Sequence, residues 1–334
     1  MKTAVFSTRT YDRKFLDAAN AAGRHVLHYL EPRLSRETSA LASGYEAVCL
    51  FINDEAGADV LPLLAQGGTR WIVLRSAGFN HVDLKEAARL GIRVARVPAY
   101  SPHAVAEHAL ALIMTLNRKT HRAYNRVRDG NFALEGLLGF DIHGTTAGIV
   151  GTGKIGCLLG GILTAMGCRV LGFDLAPSEA FRKAGGTYTE LEDLLRRSEI
   201  VSLHCPLTPD THHLINEKTV AIMKPGIMLI NTSRGGLVDT QAVIQGLKSG
   251  KIGYLGLDVY EQEADLFYEN LSETVIQDDV LQRLLTFPNV LLTSHQAFFT
   301  DTALQNIAET TVRNLDAFAQ GRSENEVAVK PVIS

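Results

Sequence analysis

Thr146-Ala-Gly-Ile-Val-Gly151-Thr-Gly153-Lys-Ile-Gly156 is the stretch on which the reading of this chain turns. An apolar strand runs into three glycines spaced G-x-G-x-x-G, and apolar positions at helical spacing follow at once (Leu158, Leu159, Ile162, Leu163, Met166). A second apolar run, Val170–Phe173, ends at Asp174, 18 residues beyond Gly156. Each glycine has a mechanical reason. The first permits the tight turn, the second lets the backbone approach a pyrophosphate, and the third lets helix and strand pack closely. The helix N-terminus offers free N–H groups and the positive end of a dipole to the phosphates. Asp174 can accept hydrogen bonds from an adenosine ribose and would repel a 2′-phosphate, so the order strand, turn, helix, strand, acid predicts a site for NAD in preference to NADP. Gly148–Lys154 also reads GxxxxGK, the start of a P-loop, but Ile155 stands where that motif needs Ser or Thr for Mg²⁺.

Working outward, 334 residues give room for about two domains with sizeable cores, and 46% hydrophobic with 21% charged residues is the composition of a soluble globular protein. The net charge of −3 gives no reason to expect nucleic acid or an anionic membrane as partner. The local run Arg118, Lys119, Arg122, Arg126, Arg128 reads as the wet face of a helix. Four cysteines (Cys49, Cys157, Cys168, Cys205) have no CxxC pairing and lie in or beside apolar stretches, which predicts buried free thiols in a reducing cytoplasm. The N-terminus enters a strand without a signal-peptide h-region, and no apolar run approaches the length of a membrane span. A cytoplasmic location is the expectation.

Two βα series are legible. Thr3–Phe6, Val26–Tyr29, Ala47–Ile52, Trp71–Leu74 and Ile92–Val94 read as short buried strands, separated by helical patterns such as Phe15–Ala22, Val60–Leu64 and Leu84–Leu90. This series lacks a glycine phosphate loop. Ser101-Pro102 then forms a helix start, and the apolar spacing beyond it predicts one long connecting helix running to Gly130. The second series holds about six strands: Ala147–Val150, Val170–Phe173, Ile200–Leu203, Ile227–Ile230, Tyr254–Leu257 and Val290–Leu292, as a full dinucleotide fold requires. Glu261–Pro288 reads as an acidic, loop-rich insertion, and a last helix is expected from Thr302 to Phe318.

Open parallel sheets place ligands at the carboxyl ends of their strands. Three such ends carry polar chemistry: Asn231-Thr-Ser-Arg234, Asp258-Val-Tyr-Glu261-Gln-Glu263 and Thr293-Ser-His295. Arginine offers a planar fork that can hold a carboxylate and polarise the adjacent carbonyl. Histidine can give a proton to the carbonyl oxygen as hydride reaches the carbon, and a glutamate on its far nitrogen would fix the tautomer. By spacing alone, Glu261 and Glu263 serve equally well as that glutamate. His212-His213 has no Cys or carboxylate at ligand spacing, so no metal is expected, and His103 and His108 read as structural.

Five motifs in order, Gly151–Gly156 with Asp174, Leu203-His-Cys-Pro-Leu-Thr-Pro, Asn231-Thr-Ser-Arg-Gly, Leu257-Asp-Val-Tyr-Glu-Gln-Glu and Ser294-His-Gln-Ala-Phe, resemble the D-specific 2-hydroxyacid dehydrogenase family. Arg75-Ser-Ala-Gly-Phe-Asn, Val97-Pro-Ala-Tyr-Ser-Pro and Asp265-Leu-Phe-Tyr-Glu-Asn bring it nearest the bacterial fermentative D-lactate dehydrogenases of that family. The resemblance implies an α/β protein of two Rossmann-like or flavodoxin-like parallel-sheet domains separated by an active-site cleft. A split substrate domain (1–99 with 299–334) would flank an inserted NAD domain (100–298). It implies reversible hydride transfer between NADH and pyruvate, or another 2-keto acid such as hydroxypyruvate, glyoxylate, phenylpyruvate or a branched-chain acid. A non-catalytic NAD(H)-sensing scaffold is the different-class alternative. Arg234 would orient substrate and His295, paired with Glu263, would be the acid/base. The backbone of Ala77 and Gly78 would hold the substrate carboxylate, with Tyr100 and Phe298 shaping a small pocket. Besides Gly151, Gly153 and Gly156, NAD would contact Lys154, Ile155, Asp174, Cys205, Pro206, Thr211, Thr232, Ser233 and Asp258, although Thr211 stands where relatives often carry Asn. Family members are homodimers or homotetramers.

Overall fold

The computed structural model describes residues 1–263, 266–322 and 324–327. Asp265 of the resemblance, and residues 323 and 328–334 of the expected substrate domain, lie outside the described residues. The chain divides into two compact units, Met1–Ser101 with the segment from Phe298 onward, and Pro102–Ala297.

The first unit holds five strands, β1 (Lys2–Val5), β2 (Val26–Tyr29), β3 (Ala47–Leu50), β4 (Trp71–Leu74) and β5 (Arg93–Ala95), with helices α1 (Thr10–Ala19), α2 (Leu61–Gln66) and α3 (Leu84–Arg89). All pair in parallel, in the order β2-β1-β3-β4-β5. This is the flavodoxin-like doubly wound order. Helices cover both faces, so the central strands β3 and β4 are apolar throughout, while the edge strand β2 has no buried residue and exposes His28. Along β3, Val48 and Leu50 join one core and Ala47 and Cys49 the other, the period-2 alternation of a pleated strand.

The second unit begins with α4 (Pro102–Arg118) and α5 (Thr120–Arg128). Seven parallel strands follow: β6 (Thr146–Val150), β7 (Arg169–Phe173), β8 (Thr187–Tyr188), β9 (Ile200–Leu203), β10 (Ile227–Asn231), β11 (Ile252–Leu257) and β12 (Val290–Leu292). Between them run α6 (Lys154–Ala165), α7 (Glu179–Lys183), α8 (Leu191–Arg197), α9 (Glu217–Ile222), α10 (Thr240–Lys248) and α11 (Asp279–Leu285). The order β12-β11-β10-β9-β6-β7-β8 reverses direction between β6 and β9, which creates the switch-point crevice of a dinucleotide fold. Successive residues of β10 feed opposite cores, Ile227 and Leu229 one, Met228 and Ile230 the other. The closing helix α12 (Asp301–Ala319) returns to the first unit, where Phe318 stacks on Trp71 with ring centroids 4.3 Å apart.

Two expectations are corrected. The connecting helix does not run unbroken to Gly130: it stops at Lys119, whose φ is +50°, and α5 starts afresh. Asn117 explains the stop. Its amide binds both backbone groups of Phe140, donating at 2.7 Å and accepting at 2.8 Å, while Lys119 reaches the carbonyl of Leu138. The second correction concerns the thiols. All four cysteines are free, but Cys157 and Cys205 are only half-buried. No helix among the described residues is long and apolar enough to cross a membrane.

Candidate active site

The glycine loop leaves β6 at the switch point, and its three glycines sit in three different environments. A Cβ on Gly151 would lie 2.5 Å from the Cys205 nitrogen, and one on Gly156 only 2.0 Å from the Gly151 carbonyl oxygen. Both are packing glycines. A Cβ on Gly153 would meet nothing within 4 Å. The middle glycine, at the N-cap of α6, therefore faces open space where a pyrophosphate would approach.

Two cavities border this loop, of about 650 and 260 Å³, and Gly153 and Asp174 line both. His103, Lys154 and Ser178 complete one; Cys205, Pro206 and Thr211 complete the other. Asp174 is oriented by the loop itself. One carboxylate oxygen accepts the Thr152 N–H at 2.6 Å and its hydroxyl at 3.2 Å, and the other accepts the Ala176 N–H at 2.9 Å. The side chain of Ile155 packs into the core, which leaves its backbone as the only part that can serve a ligand. The hydroxyl of Thr232 is buried without a hydrogen-bond partner among the described residues, and so awaits one from outside the chain. Ser233 has spent its hydroxyl on the Cys205 carbonyl at 2.7 Å, and Thr211 on the Pro206 carbonyl at 2.7 Å. Burial pushes the Cys205 thiol up to about 11, so it stays neutral beside the cavity. These residues fit NAD.

The chemistry gathers at neighbouring strand ends. His295, three residues beyond β12, lies with Nδ1 2.7 Å from Glu263 Oε1, and Glu263 Oε2 accepts the Tyr260 N–H at 2.9 Å. Glu261 points elsewhere, to His213 Nε2 at 2.7 Å. Geometry thus separates two glutamates that spacing could not. Arg234 follows β10, half-buried; one guanidinium nitrogen donates to the Ser233 carbonyl at 2.6 Å, and the other nitrogens make no hydrogen bond among the described residues.

Asp258, an expected cofactor contact, is held by the protein itself. It has no exposed surface, and its carboxylate is spent inside the protein on the Thr293 hydroxyl (2.5 Å) and the N–H groups of Gln296 and Ala297 (both 2.8 Å). Its carbonyl accepts the His295 N–H at 2.7 Å. Asp258 is a positioning residue for the loop that carries His295. His108 supports the same loop through Thr293 at 3.0 Å, a structural part as expected, whereas His103 lines the larger cavity.

In the first unit, the Arg96 guanidinium donates to the Ala77 carbonyl at 2.7 Å and the Ser76 hydroxyl to the Gly78 carbonyl at 2.7 Å. Because the peptide is planar and trans, fixing the Ala77 carbonyl aims the Gly78 N–H the opposite way. Tyr100 and Phe298 stand with ring centroids 6.1 Å apart, and Phe51 is a further 6.1 Å contact of Phe298 that the sequence did not single out. Phe51 itself carries the buried Arg75, which pairs with Asp12. An aromatic inside an apolar strand run gives no signal of a site until the fold brings its partners to it.

A doubly wound sheet with this loop, together with an acid-backed histidine, defines an NAD-dependent oxidoreductase. Comparison with known proteins specifies which. Residues 110–297 match the sequence model described as D-isomer specific 2-hydroxyacid dehydrogenase, NAD binding domain. A D-lactate dehydrogenase of Curvularia clavata is 54% identical over 96% of this chain and 93% of its own length. The D-lactate dehydrogenase of Escherichia coli K12 is 51% identical over 97% of this chain and 98% of its own. The apo-structure of D-lactate dehydrogenase from Escherichia coli superposes with a TM-score of 0.90, at 49% identity, over 98% of this chain and all of that one. The enzyme of Aquifex aeolicus, solved with NAD and lactic acid, is 35% identical over 96% of each chain with a TM-score of 0.85. This chain belongs to the D-isomer specific 2-hydroxyacid dehydrogenase family, and its cofactor is NAD.

Proposed function

We propose that this protein is a D-lactate dehydrogenase, which reduces pyruvate to D-lactate and runs in reverse. The observation that carries the reading is the 2.7 Å contact between His295 Nδ1 and Glu263 Oε1 at the strand ends of a dinucleotide fold. A carboxylate accepts, so Nδ1 holds its proton, and Nε2 is left as the nitrogen that exchanges a proton with substrate. Bound NADH supplies the hydride, and bound NAD⁺ takes it up in the other direction. As the substrate carbonyl is reduced, the imidazolium Nε2–H donates to its oxygen, and Glu263 balances the charge that the ring carries beforehand. Such general acid catalysis contributes about 10²–10⁴-fold. Arg234 holds the substrate carboxylate and polarises the carbonyl through its fork of donors. In the first unit, the N–H groups of Ala77 and Gly78 serve as further donors to a carboxylate, and Tyr100 and Phe298, with Phe51, restrict the side chain of the acid.

Purified protein given NADH and a panel of 2-keto acids (pyruvate, hydroxypyruvate, glyoxylate, phenylpyruvate, a branched-chain acid) is expected to turn over pyruvate best, with D-lactate as product by chiral chromatography. L-lactate, or preference for a larger acid, overturns the substrate; NADH binding without any turnover means a sensing scaffold instead.

The substrate-domain and cofactor-domain roles belong to the first and second units respectively. We also read the chain as a homodimer or homotetramer. No residue of α5 is buried, and Tyr124, Phe132, Leu134 and Leu138 are exposed on it and on the segment that Lys119 and Arg126 tie back to it. Exposed apolar groups gathered this way mark an interface. Light scattering on the purified protein gives the mass directly; a monomer at micromolar concentration refutes it.

A further inference from the structure

Among the described residues, one set of metal-ligating side chains outside the proposed chemistry comes together from distant positions: His212, His213 and Glu261, whose ligand atoms all lie within 4.8 Å of one another. Along the sequence the two histidines have no carboxylate at ligand spacing. The fold supplies one, because the loops after β9 and β11 leave adjoining parts of the same sheet edge.

We propose that His212, His213 and Glu261 form a site for one divalent transition-metal ion of the zinc class. Two imidazoles and a carboxylate are the donors that Zn²⁺ and its neighbours take, with water completing four positions. His213 is held at both backbone groups. Its N–H donates to the Gly236 carbonyl at 2.8 Å, and its carbonyl accepts from the Asn216 amide at 2.8 Å. That keeps it at φ +51°, a left-handed conformation uncommon for a non-glycine residue. Glu261 has an outer partner of the kind that orients a ligating carboxylate: Oε1 lies 2.7 Å from His213 Nε2, and Oε2 accepts the Thr240 hydroxyl at 3.3 Å. The His212 ring is stacked on that of His213 at 3.9 Å between centroids, above Gly236, where a Cβ would stand 3.6 Å from it.

Little movement completes the site. Bonds of about 2.0–2.1 Å at tetrahedral angles place ligand atoms roughly 3.3 Å apart. His213 and Glu261 are already closer than that, and the exposed His212 ring can turn in to close the third side. The ion takes the place of the proton between His213 Nε2 and Glu261, which leaves for solvent or for His213 Nδ1. The proposal is independent of which keto acid the enzyme reduces.

Calorimetric titration of the full chain, saturated with NAD and free of chelators, with zinc sulfate tests it. One ion per chain with saturable binding is expected, together with a zinc-dependent rise in Tm, since an ion that binds only the folded state stabilises it. Glu261→Gln and His212→Ala should each weaken binding by roughly tenfold or more. His213→Asn removes the ligand yet keeps a residue suited to the left-handed conformation, so its loss of zinc binding is not a folding defect if its zinc-free Tm matches the parent's. Absence of stoichiometric binding in the parent, or zinc affinity within twofold of the parent in Glu261→Gln and His213→Asn, overturns the site.

Discussion

Asp258 fixes His295 from its own backbone: the Asp258 carbonyl accepts the His295 N–H at 2.7 Å, and the Asp258 carboxylate gathers the residues on either side of that histidine. His295 sits at φ +53°, a region that costs a non-glycine residue about 1–3 kcal/mol and persists only where the surroundings over-determine it. Asp258→Asn tests this. An amide NH₂ would confront either the Ala297 N–H or the Thr293 and Gln296 donors. We expect a loss of roughly 2–4 kcal/mol in urea unfolding and a fall in kcat. A variant of parental stability and rate would remove Asp258 from its positioning role.

Substitutions at the proposed acid/base and anchor separate two roles. Glu263→Gln keeps an acceptor for His295 Nδ1 but not the charge that balances the imidazolium, so kcat should fall by roughly 10²-fold or more with little change in NADH affinity. Arg234→Lys replaces a fork by a point charge and should cost roughly 10²–10³-fold in kcat/KM for pyruvate. Steady-state kinetics with pyruvate, and fluorescence titration of NADH, read both. Either variant at parental kcat/KM refutes the role given to that residue.

The glycines give a prediction that distinguishes folding from binding. Gly151→Ala forces a Cβ to 2.5 Å from backbone at φ +91°, and should destabilise on the order of 3 kcal/mol. Gly153→Ala meets no atom and has an ordinary φ of −63°, so Tm should be unchanged. Its methyl nevertheless occupies the approach to the pyrophosphate, and the NADH Kd should rise. Unaltered NADH affinity in Gly153→Ala contradicts the proposed seat of the pyrophosphate.

How far the sequence carried follows from what periodicity can encode. Buried parallel strands announce themselves as short apolar runs, and eleven of the twelve among the described residues were legible to within a residue or two; the two-residue β8 is too short to carry a pattern. Strand order and the glycine loop then place the site. What the sequence could not carry was every feature made by a side chain meeting backbone far along the chain. Asn117 ends a helix by binding Phe140, with no glycine or proline to mark it. Asp258 looks like any acid after a strand until its oxygens are counted. Glu261 and Glu263, two residues apart in one loop, part company only because the first meets His213 and the second His295.

His204 makes stability depend on pH in a stated direction. Burial lowers its pKa to about 4 from an ordinary 6.5, and Nε2 lies 2.8 Å from the Ser202 hydroxyl. The folded state holds the ring neutral while the unfolded chain protonates it near its ordinary value. The contribution is therefore intact above pH about 6.5 and is lost progressively as pH falls toward about 4, on the order of 3 kcal/mol in all. His204→Gln keeps a hydrogen-bonding end for Ser202 and has no proton to take up. Between pH about 7.5 and 5 the variant should lose about 2 kcal/mol less than the parent in urea unfolding, whatever other groups titrate in both. Parallel curves for the two proteins would show that His204 is protonated as readily in the fold as outside it.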